Sequence, residues 1–173
     1  DIEKGNQPFT SSNNRYVIVF NGEIYNYKEI RKKILSSGTK LLTNSDTEAL
    51  VEAFNIWGLD FIDNVIGMFS IALYDKLQKK LYLIRDRLGI KPLYFSKIQK
   101  NVIFSSEIQT LLKTNLLKKE VNYSAISSYL SFRNPIGVGT FFDEIKEVNP
   151  GEILTIDNEI IRKSFWSIPK NSN

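Results

Sequence analysis

The chain contains no cysteine and no histidine among its 173 residues. The absence of cysteine excludes disulfides, thiolate metal sites and a cysteine nucleophile within these residues, and it favours a cytoplasmic protein. The absence of histidine removes the most common general base and the most common metal ligand, so we predict no metal site here. Any catalysis by these residues would depend on hydroxyls, lysines, carboxylates or backbone donors.

Long apolar runs and long basic runs are also absent. The apolar stretches have the length of a strand, so we predict no membrane-spanning segment. The net charge of +4 arises from short basic runs without interleaved aromatic residues, so we predict no nucleic-acid partner. Hydrophobic residues make up 42% of the chain and aromatic residues 12%, which indicates a globular domain with a substantial core.

The stretch from Tyr16 to Tyr27 is the most informative one. It opens with the β-branched and aromatic residues of a buried strand, Tyr16 to Phe20. The dipeptide Asn21-Gly22 then predicts a tight turn. An asparagine amide and a glycine N–H that point the same way can stabilise an oxyanion. For the dipeptide alone, a plain hairpin turn is the alternative interpretation.

A second informative stretch is a capping box. Ser45 is predicted to cap a helix and Glu48 to reach back to its first turn. Asp46 then lies at the first helical position, where the helix dipole stabilises a carboxylate. This structural role is the alternative to a binding role for Asp46.

Periodicity and turn residues predict the other elements. Asn26 and Asn122 are predicted N-caps, and Ile126, Tyr129 and Leu130 are predicted to face the core. The hairpin over 67–85 is apolar on both faces, which predicts a sheet covered on both sides. The predicted strands are 16–20, 40–43, 67–75, 80–85, 93–96, 102–104, 152–156 and 159–166, and the main predicted helices are 27–37 and 46–57.

Several short motifs occur in a fixed order along the chain. They are Asn-Gly-Glu-Ile-Tyr-Asn-Tyr at 21–27, Ser-Asp-Thr-Glu at 45–48, Trp-Gly at 57–58, Gly-Met-Phe at 67–69, Arg-Asp-Arg-Leu-Gly-Ile-Lys-Pro-Leu-Tyr at 85–94 and Ser-Glu at 106–107. Each motif is weak alone, but the ordered set resembles the glutaminase domain of the glutamine-hydrolysing asparagine synthetases, which are class II amidotransferases.

This resemblance implies a fold and a domain organisation. The implied class is α+β, an N-terminal-nucleophile hydrolase with a four-layer αββα sandwich of two antiparallel sheets. We expect the sandwich to be incomplete at its first strand, which would leave one sheet edge unpaired. Residues 1–166 would form the glutaminase domain, and residues 167–173 a linker toward an absent synthetase domain.

The resemblance also implies a reaction. In the family, an N-terminal cysteine attacks the glutamine side-chain amide, and its own α-amino group is the base. Asn21 and Gly22 match the oxyanion donors, Asp46 matches the residue that holds the substrate ammonium, and Glu23 lies beside the donors. Ammonia then passes to a synthetase domain of the same polypeptide, which uses ATP and Mg²⁺ to amidate aspartate. The glutaminase domain itself needs no cofactor, and a homodimer remains open.

The chain departs from the family in four ways. It lacks the cysteine, the strand that carries it, the arginine that holds the substrate carboxylate and the synthetase domain. We therefore expect a truncated glutaminase domain that is inactive alone. The alternatives are a non-catalytic module that binds glutamine or a partner, a scaffold without a ligand, and an amidotransferase that serves another acceptor such as a surface-sugar precursor.

Overall fold

The computed structural model describes residues 6–135, 137 and 139–169. The chain forms two compact units: one runs up to Lys91 and resumes at Pro150, and the other spans Pro92–Asn149. The elements in chain order are β1 (Phe9–Thr10), β2 (Tyr16–Ile24), α1 (Tyr27–Ser36), α2 (Asp46–Trp57), a 3-10 helix (Gly58–Asn64), β3 (Gly67–Asp75), β4 (Lys80–Arg85), β5 (Tyr94–Ile98), β6 (Asn101–Ser105), α3 (Ile108–Lys113), α4 (Tyr123–Phe132), β7 (Lys146–Glu147), β8 (Glu152–Ile156) and β9 (Ile160–Ser164).

The first unit is built on a six-stranded antiparallel sheet in the order β1-β2-β3-β4-β8-β9. One face of this sheet shares a hydrophobic core with α1, α2 and the 3-10 helix. Side chains at alternate positions of the strands point into this core, as a period of two requires. Those of β2, β3 and β4 are Tyr16, Ile18, Ile24, Phe69, Ile71, Leu73, Tyr82 and Ile84.

The opposite face of the same sheet is also buried in its middle. Ala72, Leu83 and Leu154 form one row across three strands, and all three are buried. The sequence prediction that the 67–85 hairpin is buried on both faces is therefore confirmed.

The second unit contains a three-stranded antiparallel sheet in the order β6-β5-β7. Its small core includes Leu111, Leu117 and Ile145. Asn122 caps α4 as predicted, because its side chain accepts a hydrogen bond from the Ala125 N–H at 3.1 Å. Together the two antiparallel sheets and their helices confirm the α+β class.

The predicted strand at 40–43 is wrong. This segment forms no ladder, because the backbone N–H groups of Leu42 and Thr43 donate to the carboxylate of Glu48, at 2.6 and 2.8 Å.

The prediction that the Asn26 side chain caps α1 is also wrong. Asn26 precedes α1, but its side chain bonds the backbone of Asn64 and Ile66 rather than the first turn of the helix.

The predicted orientation of α4 is wrong as well. Ala125 is fully buried, whereas Tyr129 and Leu130 are exposed and Ile126 is half-buried.

None of the helices in the described part of the chain has the length and apolar character needed to cross a membrane.

A partly buried ion pair joins the residue before β2 to the end of β3. Arg15 donates to both carboxylate oxygens of Asp75, from Nε at 3.0 Å and from Nη2 at 2.7 Å. The N–H groups of Leu77 and Gln78 add two more hydrogen bonds to Oδ1. The Arg15 hydrogen bonds are the main cause that holds the pKa of Asp75 below its ordinary value of 3.8.

This lowered pKa makes stability depend on pH. A carboxylate with a depressed pKa stabilises the folded state above its unfolded pKa, and this contribution is lost as the pH falls through the folded pKa. We expect Asp75→Asn to lower the free energy of unfolding by a constant amount above about pH 5, and the deficit to shrink below about pH 4. Urea unfolding across this range tests the expectation, with the exposed Asp143→Asn as control. A deficit that does not change with pH would contradict it.

Candidate active site

The candidate site is centred on the last third of β2. The predicted turn at Asn21-Gly22 is wrong, because the strand continues through both residues to Ile24. Asn21 pairs with Ser70 of β3, and Gly22 pairs with Phe69. Asn-Gly tolerates a turn, but an uninterrupted ladder with β3 keeps these two residues extended.

Gly22 is required here by a close approach between the two strands. A Cβ atom at this position would lie 2.1 Å from the Met68 carbonyl oxygen and 2.7 Å from the Phe69 Cα. Its φ of +148° is also one that side-chain-bearing residues rarely adopt. A glycine inside a strand commonly marks such an approach of another backbone.

The N–H of Gly22 points to the edge of the sheet. In an antiparallel strand, successive residues direct their backbone groups to opposite neighbours. The N–H groups of Tyr16 and Phe20 bond to Ser11 and Gln7, on the side of β1. Gly22 has the same parity in an uninterrupted register, so its N–H is directed away from β3 as well.

That edge of β2 is largely open within the described residues. β1 pairs only with Val17 and Ile18, so the strand from Val19 to Ile24 has no strand partner on this side among them. The expected unpaired edge is therefore present. The backbone N–H of Gly22 and the side chain of Asn21 are adjacent at this edge. A continuous strand places them there, whereas the sequence predicted a turn.

The steric role of Gly22 can be measured. We expect Gly22→Ala to lower the free energy of unfolding by about 2–4 kcal/mol, because the added methyl group meets the backbone of β3. Gly38→Ala is a matched control, since Gly38 also has a positive φ but no atom lies within 4 Å of its added Cβ. The control should cost only about 1 kcal/mol. Equal losses in urea unfolding would contradict the close-approach argument.

Asn21 and Glu23 present their side chains on the face of the sheet away from α1 and α2. Both are exposed, whereas the alternate residue Ile24 is buried in the helical core. Asn21 lies in one row with Ser70 and Arg85 across β2, β3 and β4. Ser70 and Arg85 are buried, so the row has a solvent-facing end at Asn21.

Asp46 belongs to a second element of the same unit. It is the first residue of α2, which packs against β1 and β2. Asp46 is half-buried, and its carboxylate makes no hydrogen bond or ion pair with the residues that the structure describes. It lies at the positive end of the helix dipole, which stabilises the charged carboxylate. A charged carboxylate at this position is able to bind a cationic ligand group.

The start of α2 is held in place by a network of buried side chains. Ser45 Oγ accepts from the Glu48 N–H at 3.1 Å, as the capping box predicts. Glu48 does not close the box but reaches past Ser45, to the N–H groups of Leu42 and Thr43 and to the Thr43 hydroxyl at 2.8 Å. The network fixes the backbone on both sides of Asp46.

The position of Asp86 between Arg85 and Arg87 predicts a structural ion pair with one of them, and this prediction missed the backbone partners of Asp86. Its carboxylate is buried and accepts from four backbone N–H groups, those of Phe69, Leu88, Ile90 and Lys91, at 2.9 to 3.2 Å. It thereby fastens the turn after β4 to the segment of β3 that pairs with Gly22. An acidic residue three residues before Gly89 was the available indication.

No group of three or more histidine, cysteine, aspartate or glutamate side chains in the described part of the chain is placed to hold a metal ion. The structure thus places Asn21, Gly22 and Glu23 together on one strand. It places Asp46 at the start of α2, a helix that contacts β1 and β2 of the same unit. These positions can supply hydrogen-bond donors to a developing negative charge and a carboxylate to a cation.

Comparison with solved structures identifies the class of fold. The chain is similar to the glutamine phosphoribosylpyrophosphate amidotransferase of Bacillus subtilis, with a TM-score of 0.62 and 21% identity. The similarity covers 92% of this chain and 32% of that one. The fold is therefore that of the amidotransferases of the N-terminal-nucleophile hydrolase type, as predicted.

Sequence comparison identifies the family. Residues 1–166 match the glutamine amidotransferase domain, and the chain belongs to this family. It is 36% identical to asparagine synthetase [glutamine-hydrolyzing] 2 of Bacillus subtilis over 97% of this chain and 23% of that protein. It is 34% identical to asparagine synthetase [glutamine-hydrolyzing] 3 of the same organism, over 97% of this chain and 28% of that protein.

The chain thus spans about a quarter of the length of these curated relatives. The matched part is their N-terminal part. The resemblance found in the motifs is confirmed: the chain is a glutamine amidotransferase domain, homologous to the glutaminase domains of asparagine synthetases.

Proposed function

We propose that this domain hydrolyses glutamine to glutamate and ammonia within an intact asparagine synthetase. The ammonia is passed to an ATP- and Mg²⁺-dependent domain of the same polypeptide that amidates aspartate. The nucleophile is a cysteine from outside these 173 residues, which contain none. The glutaminase domain uses no cofactor, and the intact protein is cytoplasmic.

The observation that carries this proposal is the open edge of β2. There the exposed Asn21 side chain and the outward N–H of Gly22 are adjacent. In the proposed reaction, a thiolate adds to the side-chain amide carbon of glutamine, and the carbonyl oxygen becomes an oxyanion. These two donors stabilise that charge. Departure of ammonia leaves a thioester, which water then hydrolyses to glutamate and free thiol.

Asp46 and Glu23 are the carboxylates that we assign to this site. We assign Asp46 to the α-ammonium group of glutamine, because its carboxylate has no competing partner among the described residues. Glu23 is exposed on the same strand as the oxyanion donors and lies two residues beyond Asn21. An ammonium ion held by a carboxylate is a strong charge-assisted contact.

Asp46→Asn separates this role from a purely structural one. A contact made in both the ground state and the transition state should raise the KM for glutamine about 10- to 100-fold and leave kcat nearly unchanged. If Asp46 serves only the helix dipole, the variant should lose about 0.3–1 kcal/mol of stability at unchanged KM. KM and melting temperature are measured on the same intact protein. Asp60→Asn, an exposed carboxylate in the 3-10 helix, is the control.

A non-catalytic module that binds glutamine or a partner is the second candidate, because these residues hold neither cysteine nor histidine. The source gene distinguishes the two candidates. A start codon followed directly by a cysteine codon, in frame with this domain, supports the enzyme. A start codon close to Asp1 supports the module. Release of glutamate from glutamine by the intact protein is the matching biochemical test.

A further inference from the structure

Helix α4 of the second unit carries an apolar stripe that faces solvent. Its residues Tyr123, Ile126, Tyr129 and Leu130 recur at helical spacing, and the sequence predicts the last three to be buried. The structure instead leaves Leu130 78% exposed, and Tyr123 is 80% exposed. Phe141 extends the stripe, because its ring packs edge-on against Tyr129 with 5.4 Å between the centroids. We call these five residues the α4 stripe.

The α4 stripe is not the side by which the helix is attached. Attachment is through Ala125, which is fully buried, and through the capping residue Asn122. The Asn122 N–H donates to the Phe141 carbonyl at 2.9 Å, and its side-chain amide donates to the Thr140 carbonyl at 3.1 Å. The helix and Phe141 are thus fixed to each other, and the stripe is a preformed surface.

The composition of the helix is that of an interface. Tyr123–Phe132 contains no charged residue, and its polar positions are four serines. Charged residues are depleted, and aromatic residues enriched, at the centre of protein interfaces. A cluster of exposed apolar side chains rimmed by polar residues marks an interaction site, so the α4 stripe indicates a partner.

We propose that the α4 stripe is the docking surface for the remainder of the same polypeptide, the part that relatives carry beyond the amidotransferase domain. This inference rests on the proposed function. The curated relatives extend over about four times the matched length, and the match is to their N-terminal part. A covalently attached partner has a permanently high effective concentration. A surface that is always covered needs no charges to keep it soluble, which agrees with the uncharged helix.

Photo-crosslinking in the intact protein tests the identity of the partner. Benzoylphenylalanine replaces Leu130 in one sample and Leu77 in the control; Leu77 is 73% exposed in the first unit, after β3. We expect Leu130 to crosslink to peptides that follow residue 173, with a yield that stays constant over about 100-fold dilution, as an intramolecular contact requires. The Leu77 sample should give no such product.

Two results would overturn the proposal. One is a crosslink from position 130 to residues of this domain in a second copy, with a yield that rises with concentration. The other is the absence of any crosslink to the remainder of the polypeptide. Neither readout requires glutamine hydrolysis, so the docking surface and the proposed function can fail separately.

Hydrogen exchange gives an independent check with a substitution. Amides of residues 123–132 should exchange at least about 10-fold more slowly in the intact protein than in the 173-residue chain. Leu130→Asp should remove this difference and leave the melting temperature of the 173-residue chain unchanged, since the side chain is exposed there. Leu77→Asp should preserve the difference. Equal exchange in the two unmodified proteins would contradict the docking surface.

Discussion

Replacing Asn21 with alanine in the intact protein should reduce glutamine-dependent turnover by about 10²–10³-fold, the usual effect of losing one oxyanion donor. Synthesis driven by added ammonia should be retained, because free ammonia bypasses the amide hydrolysis. The expected selectivity follows from position. Asn21 has an exposed side chain at the open edge of β2, so its truncation removes little packing from the core.

Both activities are measured on the same preparation, with Asn101→Ala as the control. Asn101 is also an exposed asparagine on a strand, β6, but it lies outside the unit that carries the candidate site. An equal loss of the glutamine-dependent and ammonia-dependent activities would show that Asn21 supports the fold rather than the oxyanion. A full glutamine-dependent rate in Asn21→Ala would remove it from the reaction altogether.

The second large effect is an absence of turnover. The 173-residue chain by itself should release no ammonia from glutamine above the rate of the buffer. Amide hydrolysis by this route requires a nucleophile, a base that acts on it and an oxyanion site, and we assign only the third to these residues. The terminal amine of the chain belongs to Asp1, whose carboxylate is a poor nucleophile toward an amide.

Coupled detection of ammonia and glutamate on the purified chain checks this expectation. A sample carrying Asn21→Ala shows how much of any signal comes from contaminating amidase, since only activity of the chain itself should respond to that change. Repeated turnover that is abolished by Asn21→Ala would contradict the mechanism, because it would require a nucleophile within these residues.

Much of the fold follows from local sequence. The strands at 67–75 and 80–85 have the predicted bounds, and β8 and β9 form a hairpin where strands are predicted at 152–156 and 159–166. The strands β3, β4 and β8 combine apolar residues on both faces, and polar residues separate β3 from β4 and β8 from β9. Their local preference and their burial point to the same structure.

The wrong predictions at 40–43 and at Asn26 involve hydrogen bonds between a side chain and the backbone of another segment. Leu42 and Thr43 have the composition of a strand, but their N–H groups donate to the carboxylate of Glu48 instead of to a neighbouring strand. Asn26 is a good capping residue, yet its side chain serves the loop at Asn64 and Ile66. Neither contact can be derived from the spacing of residues along the chain.

At the candidate site, too, part of the structure was predicted from the sequence and part was not. The pairing of an asparagine with a glycine indicated two adjacent donors, and both lie at a sheet edge. The predicted turn was wrong, because the need for glycine comes from the close approach of β3 rather than from a reversal of the chain. The exposure of the α4 stripe could not be predicted either, since apolar spacing indicates burial without saying what provides it.

The most direct test of the central claim follows nitrogen through the reaction. The intact protein is given glutamine labelled with heavy nitrogen at its side-chain amide, together with aspartate, ATP and Mg²⁺. The proposed function predicts that glutamate forms and that the label appears in the side-chain amide of asparagine. Label that stays in glutamine, with no glutamate formed while added ammonia still supports synthesis, would contradict the assignment of this domain as the glutaminase.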